Sequence, residues 1–370
     1  MKIVFTTDQI YLHGGIERVL ATKVNYFADV LGYDVTILTS EQKEKEPFFK
    51  LSERVNLVDM SINYNRSRSY FSFENLKKVP NHFFKMKKVL KNLNPDVIIV
   101  CNSSFDFYWL PYINKSSKKV KEYHASQFNR NETASSFKSK IFVSILKKVE
   151  SDYDALVVLN PDEKKFFRSD NTFVIPNPIS LTNKKVNFQN KRVIAAGRIA
   201  PVKGFERLIE IWSEFLKNNT GWSLDIYGDN YIGTQEQLQK QIDSKDLNNT
   251  IFFKGTVDDI TETMCNYSAY LMTSHTECFP MVLLESLSVG LPIISFDVPT
   301  GPRNIITNEE DGFLVENGNV IEYSKRMEQV LNSENLKKVM SDKAKLNSQR
   351  FSVENVMKKW GQLFNTLEKN

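Results

Sequence analysis

The chain has 370 residues, 41% of them hydrophobic, and a formal net charge of +5. That length exceeds one ordinary core and predicts two domains of about 150–200 residues each, while no apolar run approaches the roughly 20 residues that cross a bilayer as a helix. Three scattered cysteines, Cys101, Cys265 and Cys278, exclude a disulfide framework or a zinc ribbon and predict a reducing, cytoplasmic setting.

Taken in chain order, MKIVFTTDQI reads as a first strand, Lys2–Thr6, without the apolar core and cleavage site of a signal peptide. Gly14-Gly15 then opens a helical run from about Ile16. Glycines there let a phosphate or sugar approach backbone N–H groups at the positive helix end, although a simple turn needs them too, and the G-x-G-x-x-G fingerprint is absent. Tyr33–Ser40, Asp96–Cys101, Val120–His124, Ala155–Leu159 and Thr172–Ile175 are the further strands of the first half. Asp152-Tyr153-Asp154 precedes a strand, which predicts a solvated turn. Residues 1–185 hold 29 of the Lys+Arg and 20 of the Asp+Glu, a balance of +9 against −4 for the rest. Basic residues gather at Lys85–Lys91, Lys115–Lys121 and Lys138–Lys148, each mixed with apolar residues. Such clusters suit an anionic membrane surface or, equally, solvated helix faces. No recognised module accompanies them, so nucleic acid is not expected as a partner.

The polar, proline-containing stretch Pro176–Asn190 separates this half from a second alternation. There the strands are Arg192–Ala196, Ser223–Tyr227, Ile251–Lys254, Ala269–Thr273, Pro292–Phe296 and Gly312–Val315, with amphipathic helices from Phe205, Gln235, Val257 and Met281. Short apolar strands separated by helices predict an α/β protein with parallel sheets covered on both faces. The expected architecture is two Rossmann-like domains facing a cleft, with ligands beyond the carboxyl ends of the strands. The boundaries are 1–178 for the first domain, 179–190 for a linker, 191–350 for the second domain, and 351–370 for a final helix.

Two groups of residues carry candidate chemistry. In RVIAAGRIAPVKGFERLI, Arg198 and Lys203 stand between Gly197 and Gly204 at a strand's carboxyl end, a spacing suited to clamping a diphosphate. In TECFPMVLLESLSVGLPIISFD, Pro280 fits the start of a helix and Gly290 its end. Glu277 then stands just before the helix, and Glu285 lies inside it among Met281, Val282, Leu283, Leu284 and Leu287. Buried there, a carboxylate needs a hydrogen-bonding partner such as a hydroxyl-rich ligand; alternatively, Glu285 lies on a solvated helix edge. No metal-ligand cluster is apparent among four scattered histidines and three cysteines.

The segments AAGRIAPVKGFERLI, LDIYGDN, FFKGTV, HTECFPMVLLESLSVGLPII and DGFLVENGN, in that order, resemble the family 4 retaining nucleotide-sugar glycosyltransferases of the GT-B fold. GGIERV, the strand ending at His124, and VIPNPI resemble the same family more loosely. FSVENVMKKWGQLF resembles its last helix, which crosses back to the first domain. The resemblance implies that Glu277 binds hydroxyls of the donor sugar, Glu285 the ribose, and Arg198 and Lys203 the diphosphate. It places Phe279, Val282 and Leu283 at sugar and phosphate, Lys254 and Thr256 at the base, Gly15 at the phosphate, and His124 near the reacting carbon. Cys278 replaces a usual glycine, and GDNYIG lacks a usual Gly-x-Gly.

It further implies a donor such as a UDP-hexose or UDP-N-acetylhexosamine, no other cofactor and no metal. DVPTGPRNII resembles surface-polysaccharide transferases in particular, which implies a glycan or lipid-linked saccharide acceptor and agrees with the basic first half, whose clusters suit a peripheral place on the inner face of the plasma membrane. A GT-B-fold UDP-sugar epimerase and a non-catalytic glycan-binding subunit are the alternatives. The sequence leaves the oligomeric state open.

Overall fold

A computed structural model describes residues 1–128, 137–167 and 170–369, without the side chains of 137–140. The chain divides into two compact units, Met1–Pro178 with Val356–Asn370, and Ile179–Asn355. Residues 179–190 therefore group with the second unit, and the return to the first unit comes at Val356.

The first unit is built on seven strands: β1 (Lys2–Thr7), β2 (Asp34–Thr39), β3 (Val55–Asp59), β4 (Val97–Val100), β5 (Lys118–Glu122), β6 (Ala155–Val158) and β7 (Thr172–Val174). They form one parallel sheet in the order β3-β2-β1-β4-β5-β6-β7. The second unit has six: β8 (Arg192–Ala196), β9 (Ser223–Tyr227), β10 (Ile251–Gly255), β11 (Tyr270–Met272), β12 (Ile293–Asp297) and β13 (Gly312–Glu316). Their parallel order is β10-β9-β8-β11-β12-β13. Both sheets reverse direction of growth beside their first strand, the arrangement that opens a ligand crevice at the carboxyl ends. These are two Rossmann-like α/β units.

Central strands such as β4 and β6 are buried along their whole length, as parallel strands covered on both faces must be. β3 has no counterpart among the expected strands. It is an edge strand, only half-buried, so VNLVD lacks the continuous apolar run by which its neighbours are read. β5 starts two residues earlier than expected and carries Lys119, Lys121 and Glu122 into the interior. Lys121 survives there by donating to the carbonyls of Val100, Asn102 and Glu122, and burial lowers its ammonium pKa to about 8. The cluster Lys115–Lys121 is thus no surface patch, because two of its lysines are core residues of a strand. Lys138 and Lys140 of the third cluster lie outside the described side chains.

The chain ends in a helix, Val353–Lys369, whose buried residues Val356, Met357, Trp360, Leu363, Phe364 and Leu367 form one stripe at helical spacing. From Val356 onward the helix belongs to the first unit, where Trp360 and Phe364 pack on Phe27 with ring centroids 6.5 and 5.6 Å away. Ser352 starts it by accepting from the Asn355 N–H at 3.2 Å. Truncating the fully buried Trp360 to alanine is expected to cost about 3–5 kcal/mol of first-unit stability, read as a lower urea midpoint by circular dichroism.

Candidate active site

The second unit gathers its charged candidates where β8 and β11, neighbours in the sheet, reach their carboxyl ends. β8 leads through Gly197–Gly204 into the helix Phe205–Leu216. That turn is held by close backbone approach. Gly197 donates to Tyr227 O at 2.9 Å, and a Cβ on Gly228 would fall 2.0 Å from Gly197 O. Gly204 has φ +63°, and a Cβ there would meet Thr273 O at 2.1 Å. Arg207, on the next helix turn, donates to the carbonyl oxygens of Thr273 and, at 2.6 Å, Ser274, and to Asn317 Oδ1 at 2.7 Å. The loop after β8 and the loop after β11 are thereby fastened to one another.

Lys203 and Glu277 meet across that junction. Lys203 Nζ donates to Glu277 Oε1 at 2.6 Å, and Ser274 Oγ donates to the same oxygen at 2.7 Å. The two side chains are 24% and 11% exposed, so the pair is screened from bulk water but reachable. Glu277 is fixed from the backbone as well: its N–H donates to Pro299 O at 3.0 Å, and its carbonyl accepts from Thr300 and Gly301 at 2.6 and 2.9 Å. Arg198 is exposed on the same loop as Lys203, its guanidinium 4.8 Å from the Tyr231 ring centroid.

Four residues after Glu277 begins the helix Met281–Val289, with Pro280 as its N-cap and no side chain capping it. Its first N–H groups and its dipole form an anion-binding end. Phe279 is buried against the Phe351 ring at 5.6 Å, Leu283 is buried and Val282 is half-buried. Glu285 is 3% exposed, which rules out the solvated helix edge. Burial raises the pKa of the Tyr270 phenol, and the nearby Glu277 and Glu285 charges raise it further. Lys254 and Thr256 are exposed on either side of Gly255, at the end of β10. Cys278 is buried, which shields its thiol from reagents.

The remaining two candidates belong to the first unit: Gly15 is the first residue of the helix Gly15–Asp29, and His124 follows the end of β5. Ser274, Arg207 and Tyr270 were missed in the sequence. Arg207 had a signal, a charge set among Phe205, Leu208, Ile209, Ile211 and Trp212 on a buried helix face. The expectation of no metal-ligand cluster also needs correction. Folding brings ligand-type atoms of Cys101, Glu122 and His124 within 4.8 Å of one another, although Lys23 donates to Glu122 at 2.6 Å in the same place.

Residues 13–183 match the profile of Glycosyltransferase Family 4, and residues 181–347 that of Glycosyl transferases group 1. The chain belongs to the family 4 glycosyltransferases. An uncharacterized glycosyltransferase of Haemophilus influenzae is 28% identical over 97% of this chain and 98% of its own length. The amylovoran biosynthesis glycosyltransferase AmsD of Erwinia amylovora is 27% identical over 98% of this chain and 99% of its own. The fold matches that of S. aureus TarM, solved with Fondaparinux, alpha-GlcNAc-glycerol and UDP, at TM-score 0.81 and 17% identity over 98% of this chain and 99% of that one. The two units are those of the GT-B fold, and the chain is a glycosyltransferase. Replacing Gly204 by alanine should strain a left-handed backbone and press on Thr273, costing at least about 1–2 kcal/mol. Thermal unfolding would show that loss.

Proposed function

We propose that this glycosyltransferase moves a hexose or N-acetylhexosamine from a UDP-sugar to a glycan hydroxyl during surface-polysaccharide synthesis, with retention at the anomeric carbon and without a metal ion. The observation that carries the reading is the Lys203–Glu277 pair beside the uncapped start of Met281–Val289. A sugar diphosphate needs cations for its phosphates and a carboxylate for its hydroxyls, and this pair supplies both within 2.6 Å. UDP in the TarM complex supports the choice of nucleotide, and the role of AmsD in amylovoran biosynthesis supports the choice of pathway.

In this reading Glu277 holds sugar hydroxyls and Glu285 the ribose. Arg198, Lys203 and the helix end take up the negative charge that grows on the diphosphate as the anomeric bond breaks. The departing phosphate oxygen takes the proton of the incoming hydroxyl, so attack occurs from the leaving-group face and configuration is retained. Lys254 and Thr256 border the base, Phe279, Val282 and Leu283 contact sugar and phosphate, Gly15 approaches the phosphate, and His124 contacts the transferred sugar. Donor hydrolysis measured over UDP-, GDP- and ADP-sugars should favour UDP; preference for another nucleotide would overturn the donor. Arg198→Ala and Lys203→Ala should each lower kcat on the order of 10²–10³ with a smaller change in donor KM. Near wild-type kcat in both would remove them from the phosphate site.

A basic face on the first unit supports a lipid-linked acceptor. Helix Val79–Leu93 exposes Lys87, Lys88 and Lys91, with Phe84 at 67% exposure among them, whereas Lys85 bonds Met60 O at 2.9 Å. No described helix is long and apolar enough to cross a membrane. Changing Lys87, Lys88 and Lys91 to Gln should weaken low-salt binding to anionic vesicles by about 3 kcal/mol, at about 1 kcal/mol per charge. Vesicle sedimentation insensitive to salt would count against a membrane role for this helix.

A further inference from the structure

Within the first unit, a buried charge cluster stands at the carboxyl end of β5. Lys23 and Glu122 have side chains 1% and 2% exposed, and the ammonium donates to both carboxylate oxygens, to Oε1 at 2.6 Å. Two residues further on, His124 Nε2 lies 3.4 Å from Glu122 Oε2, its side chain 6% exposed. Cys101 Sγ is 3.8 Å from that same oxygen. The rings of Trp360 and Phe5 enclose the ammonium, with centroids 4.9 and 5.6 Å from Nζ.

Cys101, Glu122 and His124 bring ligand-type atoms close together, but the Lys23 ammonium already occupies both oxygens of Glu122 and offsets its negative charge. Lys23 Nζ donates to both oxygens of Glu122, the geometry of an ionised carboxylate, and although burial pushes the carboxyl upward, the Lys23 charge holds it well below the usual carboxylate range. An ionised carboxylate only accepts, so the ring nitrogen facing it carries the hydrogen. That makes Nε2 the donor and leaves Nδ1 as the acceptor of the neutral ring. Lys23 offsets the charge of Glu122, so the imidazole is oriented without meeting a full uncompensated negative charge.

We propose that Glu122, fixed by Lys23, is a positioning residue that holds His124 with Nε2–H turned inward and presents Nδ1 to the transferred sugar. The inference rests on the role of His124 proposed above. It goes further in naming which nitrogen works and what sets it.

Long-range ¹H–¹⁵N NMR of the full chain tests this directly, with His124→Asn assigning the signal among the four histidines. At alkaline pH, His124 should carry its hydrogen on Nε2; a hydrogen on Nδ1 overturns the proposal with no further variant. Lys23→Met/Glu122→Leu removes both charges while keeping apolar volume, a change that buried ion pairs tolerate. This double variant should melt like wild type and bind UDP equally well. Its kcat should fall about tenfold or more at unchanged donor KM, the lower end of the loss seen when the partner that orients a metal-bound imidazole is removed, and its His124 signal should show mixed tautomers. Wild-type kcat in the folded double variant overturns the positioning role, and if it does not fold, the wild-type tautomer decides. Near wild-type kcat in His124→Asn is a separate failure, since it refutes a role for His124 itself.

Discussion

Lys203 and Glu277 stand 74 residues apart and share a 2.6 Å hydrogen bond, and the second unit is arranged around making that contact possible. It requires β8 and β11 to be sheet neighbours, so that the loops leaving them run side by side. It also requires the loops to approach more closely than side chains allow, which explains Gly204 against Thr273 O and Gly228 against Gly197 O. Arg207 completes the fastening from the helix that follows. An ion pair with partial exposure adds little to stability by itself. In the proposed function its value lies in holding a cation and a carboxylate at fixed positions before a sugar diphosphate arrives, so that little reorganisation accompanies the reaction.

The first unit places charge differently. Lys23 and Glu122 are almost wholly buried, and Lys121 lies within the sheet with carbonyl partners. Removing one member of such a pair leaves an uncompensated charge and is costly, while removing both is tolerated. The pair is therefore weak as a source of stability and strong as a source of orientation. It is enclosed by Trp360 from the end of the chain, so the first unit is complete only when its last helix has docked.

Much of both units was readable in the residues because the signals are local. Of the thirteen strands among the described residues twelve are expected from the sequence, most of them as short apolar runs, and Pro280 and Gly290 mark the helix that carries Glu285. The half-buried edge strand β3 was missed because it has little apolar contrast, and β5 was shifted because its lysines look like surface residues. Among candidate site residues, Arg198, Lys203, Glu277 and Glu285 can be picked out by their position beside glycines and helix ends. Ser274 and Tyr270 could not, since a serine and a tyrosine near a strand are ordinary until a partner is known.

By itself, the sequence determined the alternation of strands and helices, the parallel α/β class and the family. Periodicity, glycine and proline act over a few residues, and the family motifs are contiguous. Tertiary structure decided which charges face inward and which groups they meet. Lys115–Lys121 reads as one basic patch, yet Lys119 and Lys121 are core residues and Lys118 pairs with Asp154. Lys23 meets Glu122 from 99 positions away, and only that meeting turns a predicted strand end into an oriented histidine. Charge burial depends on non-local partners that satisfy it, and chain order does not reveal those partners until the sheet has brought the strand ends together.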